Sequence, residues 1–341
     1  MTRRYLLPLL GSPSDHESRT SGAPAAVPLL GGRLACTHVR VIEWQPGGPR
    51  RDTWCAAAEI EWPAAFTAPR PAPFDRPRLM GILNVTPDSF SDGGTHADAK
   101  AAIAHGLRLA AMGADIVDVG GESTRPGANE VPAATELRRV LPVVEALVAA
   151  GVVVSIDTRK AAVMRAALAA GATILNDVSG LSHDPDSLAL AAASGAWVVL
   201  MHMAGPPATM NLAPRWEQCA LEVHDWLAGR IEACVAAGIA RARIVADPGL
   251  CFGKHEPHNL DLLRHLALFH VLGCPVMLGA SRKGWTAALE TGWAPAERLP
   301  ASLAAAQWAL DRGVQLLRVH DVAAHRQLLM AWSALHGGET E

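Results

Sequence analysis

Asp115-Ile-Val-Asp-Val-Gly-Gly-Glu-Ser-Thr-Arg-Pro-Gly127 decides the fold. An apolar run of strand length passes directly into a loop rich in glycine and polar residues. The Ala/Leu-rich stretch Glu136–Ala150 follows, then Gly151, then a second apolar run, Val152–Asp157, which also ends on a carboxylate. Strand, polar loop, amphipathic helix and strand make one β/α unit. Glycine after the helix suits the left-handed residue that commonly terminates helices.

The same texture recurs on both sides. Candidate strands are Leu79–Val85, Asp115–Val119, Val152–Asp157, Thr173–Asn176, Trp197–His202, Arg243–Asp247, Pro275–Gly279 and Gln315–His320. Helical stretches lie between them, among them Asp98–Met112, Lys160–Ala170, Trp216–Ala237 and Leu299–Asp311, with Gly113, Gly171, Gly238 and Gly313 close behind. Near-continuous apolar strands belong in a parallel sheet covered on both faces. Eight such units predict a (β/α)₈ TIM barrel over 78–341. The rival, an open doubly wound sheet, lacks support, because no G-x-G-x-x-G follows a strand and no Walker loop is present.

Residues 1–77 read differently. They hold 11 of the 24 prolines. Residues 11–32 are expected to be loosely held. Cys36–Trp44 and Thr53–Trp62, separated by Pro46-Gly-Gly-Pro49, predict a β-hairpin within 34–62. It is expected to pack on the N-terminal face of the barrel, with Pro63–Pro77 as an extended connector.

Composition narrows the function. The 341 residues are 50% hydrophobic and carry a net charge of −3, which excludes a largely disordered chain and gives no basic excess for a nucleic-acid partner. Six scattered cysteines with no C-x-x-C pair read as reduced thiols. Tyr5–Leu10 is too short for a signal sequence, and no stretch is long and apolar enough for a membrane span. We therefore expect a cytoplasmic enzyme with no membrane partner.

Polar residues end every candidate strand, and in this fold those ends converge on one mouth. They are Asn84, Asp118, Asp157, Asn176-Asp177, Met201-His-Met203, Asp247, Ser281-Arg-Lys283, and Arg318 with His320. The loops at 84–94 and 120–127 are candidate lids. Arg318 and His320, two apart on a strand, form a candidate anion site. Asp157, Asn176 and Asp247 could accept hydrogen bonds from a flat amino-heterocycle; helix capping is the alternative for Asp157. With four lysines against 26 arginines, Lys283 stands out as a compact ammonium at a strand end, whereas Lys160 is expected to be solvated. Cys251 has no base partner in sequence, which argues against a nucleophilic role.

These residues resemble dihydropteroate synthase, the folate-pathway family inhibited by sulfonamides. The resemblance covers about 78–335. It rests on Gly81-Ile-Leu-Asn-Val-Thr-Pro-Asp-Ser-Phe-Ser-Asp-Gly-Gly94, Asp118-Val-Gly-Gly-Glu-Ser-Thr-Arg-Pro-Gly127, Ser155-Ile-Asp-Thr158, Leu200-Met-His-Met203 with Gly205, Asp247-Pro-Gly249, Ser281-Arg-Lys283 and Arg318-Val-His-Asp-Val322. It implies condensation of hydroxymethyl-dihydropterin pyrophosphate with 4-aminobenzoate, with Mg²⁺ assisting the leaving group, in a homodimer.

By motif, the resemblance implies that Thr124, Asp157, Asn176, Met201, Asp247 and Lys283 hold the pterin. Asn84, Arg125, Arg318 and His320 would hold pyrophosphate, with Asn84 also on the metal. Phe90, Thr124, Pro126, Phe252 and Ser281 would form the aminobenzoate pocket. Arg318, His320 and Lys283 would carry catalysis. One departure is Cys251, where the family has glycine. Two rivals remain: a pterin-barrel methyltransferase acting on a corrinoid, and a catalytically silent pterin-binding paralogue.

Overall fold

The computed structural model describes residues 2–11, 25–32, 34–85, 94–125, 127–212, 214–290 and 292–336. Among the described residues, twelve strands fall into two sheets. The smaller is built from β1 (Arg3–Gly11), β2 (Val27–Leu29), β3 (Leu34–Trp44) and β4 (Arg51–Ala56). The larger is built from β5 (Arg78–Asn84), β6 (Ile116–Gly120), β7 (Val154–Asp157), β8 (Ile174–Asp177), β9 (Trp197–Met201), β10 (Ile244–Asp247), β11 (Met277–Leu278) and β12 (Leu316–Val319).

The eight strands of the larger sheet are parallel, in the order β10-β9-β8-β7-β6-β5-β12-β11. An Ala246–Val276 bridge brings β10 beside β11 and closes the ring. This is the TIM barrel read from the sequence, with each strand within a few residues of its expected place. The five helices expected also form, as Gly94–Ala111, Ala133–Ala149, Ala161–Ala169, Cys219–Ala236 and Leu299–Leu310. Gly113, Gly151, Gly171, Gly238 and Gly313 all adopt positive φ just beyond a helix end.

The core has two layers. Between strands and helices lies a continuous apolar shell that includes Leu83, Val117, Ile156, Leu175, Val198 and Ile231. Inside the ring, Met80, Ile116, Ile174, Val199, Val245, Met277 and Leu316 fill the lower half. Phe74 of the connector caps this plug and meets Trp197 edge-on with ring centroids 4.7 Å apart. The bottom is therefore packed with carbon, which leaves polar chemistry to the opposite mouth.

The expected hairpin forms as β3 and β4 around a turn closed by Gly48 N–H donating to Gln45 O at 2.9 Å. The second strand stops at Ala56, short of Trp62. β2 occupies the same edge of β3 from Cys36 onward, so β4 has no ladder left to extend. Tyr5–Leu10, unassigned from sequence, lies in β1 and pairs along the other edge of β3.

Position agrees with expectation in part. Leu30 and Leu34 reach the N-terminal face, where a Cβ on Gly313 would sit 2.9 and 2.5 Å from them, and the rest of the sheet covers the flank of the barrel. Tyr5, Ile42 and Trp44 pack with Leu221 of the helix Cys219–Ala236 and with Leu268. Arg50 donates to Gln218 at 2.7 Å and Tyr5 Oη to Asp225 at 2.8 Å. Of the 11–32 segment, residues 12–24 lie outside the described residues, and Leu29 and Leu30 are buried with Phe66. No helix among the described residues is long and apolar enough to cross a membrane.

Candidate active site

β6, β7 and β8 end side by side, and the barrel twist turns Asp118, Asp157 and Asn176 toward one point. β12 brings Arg318 to the same point from the far side. Arg318 Nε donates to Asp118 Oδ2 at 2.7 Å, and Nη2 donates to Asp157 Oδ2 at 2.7 Å. Asn176 Nδ2 donates to the same Asp118 oxygen at 2.9 Å. All three acidic and amide side chains are buried. Burial pushes the Asp157 carboxyl up to about 7, against the pull of Arg318 and with Asp118 adding to the rise.

Asp118 received no separate role from its sequence position, yet it is the hub of this network. Its Oδ1 is buried and has no hydrogen-bond partner among the described residues. A carboxylate inside an apolar strand was the available signal.

A second group lies beside the first. Asp247 ends β10, buried, with Oδ1 accepting from Gly249 N at 2.8 Å. Burial raises its pKa while Lys283 opposes. Lys283 Nζ donates to Leu250 O at 3.0 Å and stands 4.7 Å from the centre of the Phe252 ring. An ideal Cβ at Gly279 would lie 3.5 Å from Lys283 Nζ and 3.9 Å from Arg318 Cβ. A larger side chain there would occupy the space in which the two cations converge.

Ser281 and His320 make the third group. Ser281 Oγ accepts from His320 N at 3.1 Å and lies 3.2 Å from His320 Nδ1. Burial, then the nearby Arg318 and Arg282, hold the His320 ring down at about 4. His320 is thus neutral at pH 7 and offers hydrogen bonds, whereas the charge of the expected anion pair resides on Arg318. Arg282, at φ 56, donates to Asp321 through both Nε and Nη2, fixing the turn that carries Ser281 and Lys283.

Two further elements support the mouth, and neither was visible in the sequence. The first is a buried ion network under the 120–127 loop. The Glu122 carboxylate accepts from Arg159, from Lys160 and from Val131 N. Lys160 also donates to Glu136 Oε2 at 2.6 Å. Lys160, expected in solvent, is only 7% exposed. It follows Asp157 by three residues and points back into the barrel wall, where two carboxylates need a partner. Beyond the anchor, Thr124 is half-buried and Arg125 exposed.

The second element is Lys254. It is 3% exposed, and its Nζ lies 2.8 Å from Gly249 O, 3.1 Å from Phe252 O, 3.2 Å from His202 O and 2.9 Å from His202 Nδ1. Burial pulls this ammonium down to about 7. Cys251, in the same loop, takes φ 71, the left-handed conformation that glycine adopts without strain. Its N–H donates to Asn259 Oδ1 at 2.8 Å, which holds the backbone there despite the side chain. Burial raises the Cys251 thiol pKa, in line with its exclusion as a nucleophile.

Of the remaining expected site residues, Met201 is buried at the end of β9 and Asn84 is half-buried at the end of β5. Phe90 and Pro126 lie outside the described residues. The described residues contain no group of three or more His, Cys, Asp or Glu side chains able to hold a metal.

Residues 80–320 match the model of the pterin binding enzyme family. Among curated relatives, dihydropteroate synthase of Neisseria meningitidis serogroup C is 45% identical over 264 residues, spanning 76% of this chain and 93% of that protein. That of Escherichia coli K12 is 48% identical over 247 residues, spanning 72% and 87%. Among solved structures, Xanthomonas albilineans dihydropteroate synthase with 4-aminobenzoic acid is 50% identical, with a TM-score of 0.73 over 78% of this chain and 95% of that one. The same enzyme in complex with 7,8-dihydropteroate is 48% identical, with a TM-score of 0.70 over 78% and 96%.

Proposed function

The chain belongs to the pterin-binding enzyme family as a dihydropteroate synthase, and from that premise we propose which of its residues perform each part of the reaction. The enzyme condenses hydroxymethyl-dihydropterin pyrophosphate with 4-aminobenzoate to give dihydropteroate and pyrophosphate. The observation that carries the assignment is Arg318 joined to both Asp118 and Asp157, because it sets a cation beside the acceptors a pterin needs.

Asp157, Asn176 and Asp247 receive the amino and ring N–H groups of the pterin, and the unpartnered Asp118 Oδ1 offers one more acceptor. Met201 and Thr124 bound the ring, and Lys283 lies against it. Arg318, His320, Arg125 and Asn84 hold the pyrophosphate. Phe90, Thr124, Pro126, Phe252 and Ser281 take the aminobenzoate.

The C–O bond to pyrophosphate breaks, and the pterin ring stabilises the methylene cation. The aminobenzoate nitrogen forms the new C–N bond and sheds one proton to water. No strong base is required, so the protein's work is positioning, charge neutralisation and exclusion of water. Arg318 balances the departing charge, and neutral His320 donates a hydrogen bond.

Mg²⁺ fits this mouth as a substrate-bound ion. Asn84 offers one amide oxygen, and Mg²⁺ commonly keeps its waters and binds through phosphates plus one or two protein oxygens. When bound, it would neutralise charge on the leaving pyrophosphate. We further propose a cytoplasmic homodimer, checked by light scattering, with sulfonamides competing for the aminobenzoate pocket.

Pyrophosphate release, coupled to a colour-forming phosphatase, tests the function. Release should require both substrates. Release that is independent of 4-aminobenzoate, or ligand stabilisation without turnover, would refute the assignment.

A further inference from the structure

Two lysines grip carbonyls of the loop that follows β10. Lys254 takes Gly249 O and Phe252 O, and Lys283 takes Leu250 O. An ammonium has three donors and no planar constraint, so it can satisfy carbonyls converging from different directions, which a guanidinium fork cannot. The chain spends two of its four lysines here.

The loop is pressed hard against the end of β9. An ideal Cβ on Gly249 would sit 1.9 Å from His202 O, and one on Gly253 would sit 2.4 Å from Ala204 Cβ. Gly249, Cys251 and Gly253 have φ of 70, 71 and 70°. Such a backbone is costly where it includes a non-glycine residue, and it persists only if its surroundings hold it. Lys254 sits at the seam and bonds to both sides, through His202 O and Nδ1 on one and the loop carbonyls on the other.

We propose that Lys254 is a positioning residue for the second substrate: its ammonium fixes the loop so that Phe252 stands where 4-aminobenzoate packs. The inference rests on the reading that Phe252 lines that pocket. It separates the two substrates. Asp247 belongs to β10 itself, paired with Met201, and its carbonyl accepts from His202 N at 3.1 Å, so the sheet holds its backbone without Lys254, and only Gly249 N–H links its carboxylate to the loop. Phe252 lies beyond the sheet: its N–H donates to Gly249 O at 3.2 Å within the loop, and both that carbonyl and its own accept from Lys254.

Steady-state kinetics with both substrates varied, on Lys254→Met and Phe252→Ala beside wild type, test this. Lys254→Met should raise the 4-aminobenzoate KM at least tenfold. The pterin pyrophosphate KM and the kcat at saturation should stay within threefold. Phe252→Ala should raise the same KM. If Lys254→Met does not accumulate folded, Lys254→Gln, which keeps two donors, carries the same test. An unchanged aminobenzoate KM in the Lys254 variant, with Phe252→Ala impaired, overturns the inference and leaves the pocket intact. Both KM values rising in step with a lower Tm would show a purely structural role and overturn it equally. An unchanged KM in Phe252→Ala removes the pocket reading itself.

Discussion

Arg318 donates to Asp157 at 2.7 Å, so the arginine assigned to pyrophosphate is bonded to a carboxylate assigned to the pterin. The two ends of one substrate thus meet at one ion pair. Asp157 is raised to about 7 by burial, against the pull of Arg318. Its protonated form cannot accept two pterin N–H groups, so pterin affinity should rise with pH and level off above about 7. Below that, affinity should fall about tenfold per pH unit. Stability runs the other way: a carboxyl raised on folding stabilises most below its unfolded pKa of about 4, and that contribution is lost as pH rises through 7. Calorimetric titration from pH 5.5 to 8.5 checks the first trend. Asp157→Asn should flatten it, and Asp157→Ala should cost roughly 1.5–3 kcal/mol of pterin binding. Affinity independent of pH in wild type would remove Asp157 from the site.

Lys160 bridges Glu122 and Glu136 with all three side chains buried. Removing the lysine leaves Glu122 with Arg159 alone and takes from the buried Glu136 the ammonium it accepts from. Lys160→Met should therefore destabilise the fold by about 3–5 kcal/mol, the range for breaking a buried ion pair. Urea denaturation measures it. A loss below about 0.5 kcal/mol would match a solvated lysine instead.

The barrel was legible because its strands announce themselves twice, as apolar runs and as polar terminations. Asp157, Asn176 and Asp247 could be read as one site since parallel strands must end at one mouth. Lys160 and Lys254 could not. Each is placed by partners far away in sequence, Glu122 and His202, and nothing local to either lysine records that distance. Cys251 was legible in part. Its glycine-like setting was anticipated, and the φ of 71 agrees. The Asn259 bond that stabilises it needed the structure. β1 escaped notice because Arg3–Gly11 has no turn signal linking it to a partner. Its pairing with β3 spans a proline-rich stretch of no regular pattern.

The N-terminal sheet offers a test in which stability and activity separate. Removing residues 1–32 strips β1 and β2 from β3 and uncovers Ile42, Leu221, Leu268 and Phe66. Each buried aliphatic or aromatic side chain lost contributes about 1.5–3 kcal/mol at most. β1 and β2 contribute no side chain to the network of Asp118, Asp157 and Arg318 or to the Asp247 and Lys283 group, so kcat and both KM values at 25 °C should stay within about threefold. The melting temperature should drop by roughly 5 °C or more. A truncated protein with unaltered melting would mean that β1 and β2 contribute nothing to the fold, and a large loss of kcat would tie them to the site.

The order of substrate binding follows from how the 120–127 loop is built. Its base is fixed, since Glu122 is held by Arg159 and Lys160 and Gly121 O accepts from Arg139 at 2.7 Å. Its tip is not fixed in the same way: Arg125 is exposed and Thr124 half-buried. A guanidinium at the mouth is drawn inward by a polyanion, and pyrophosphate is the polyanion of this reaction. Thr124 rides next to Arg125, so recruiting the arginine also closes one wall of the aminobenzoate pocket. With the base anchored, the hinge is confined to the few residues after Glu122, which limits the ordering cost to those residues. Aminobenzoate should then bind tightly only after the pterin pyrophosphate, with a coupling of about 1–3 kcal/mol. Calorimetry of 4-aminobenzoate, with and without a pterin plus pyrophosphate and Mg²⁺, measures the coupling directly. Arg125→Ala should abolish most of it while leaving the weak affinity for aminobenzoate alone unchanged. Equal affinity in the two conditions for wild type would mean the pocket is complete before pyrophosphate arrives, and the loop would then have no part in the order of binding.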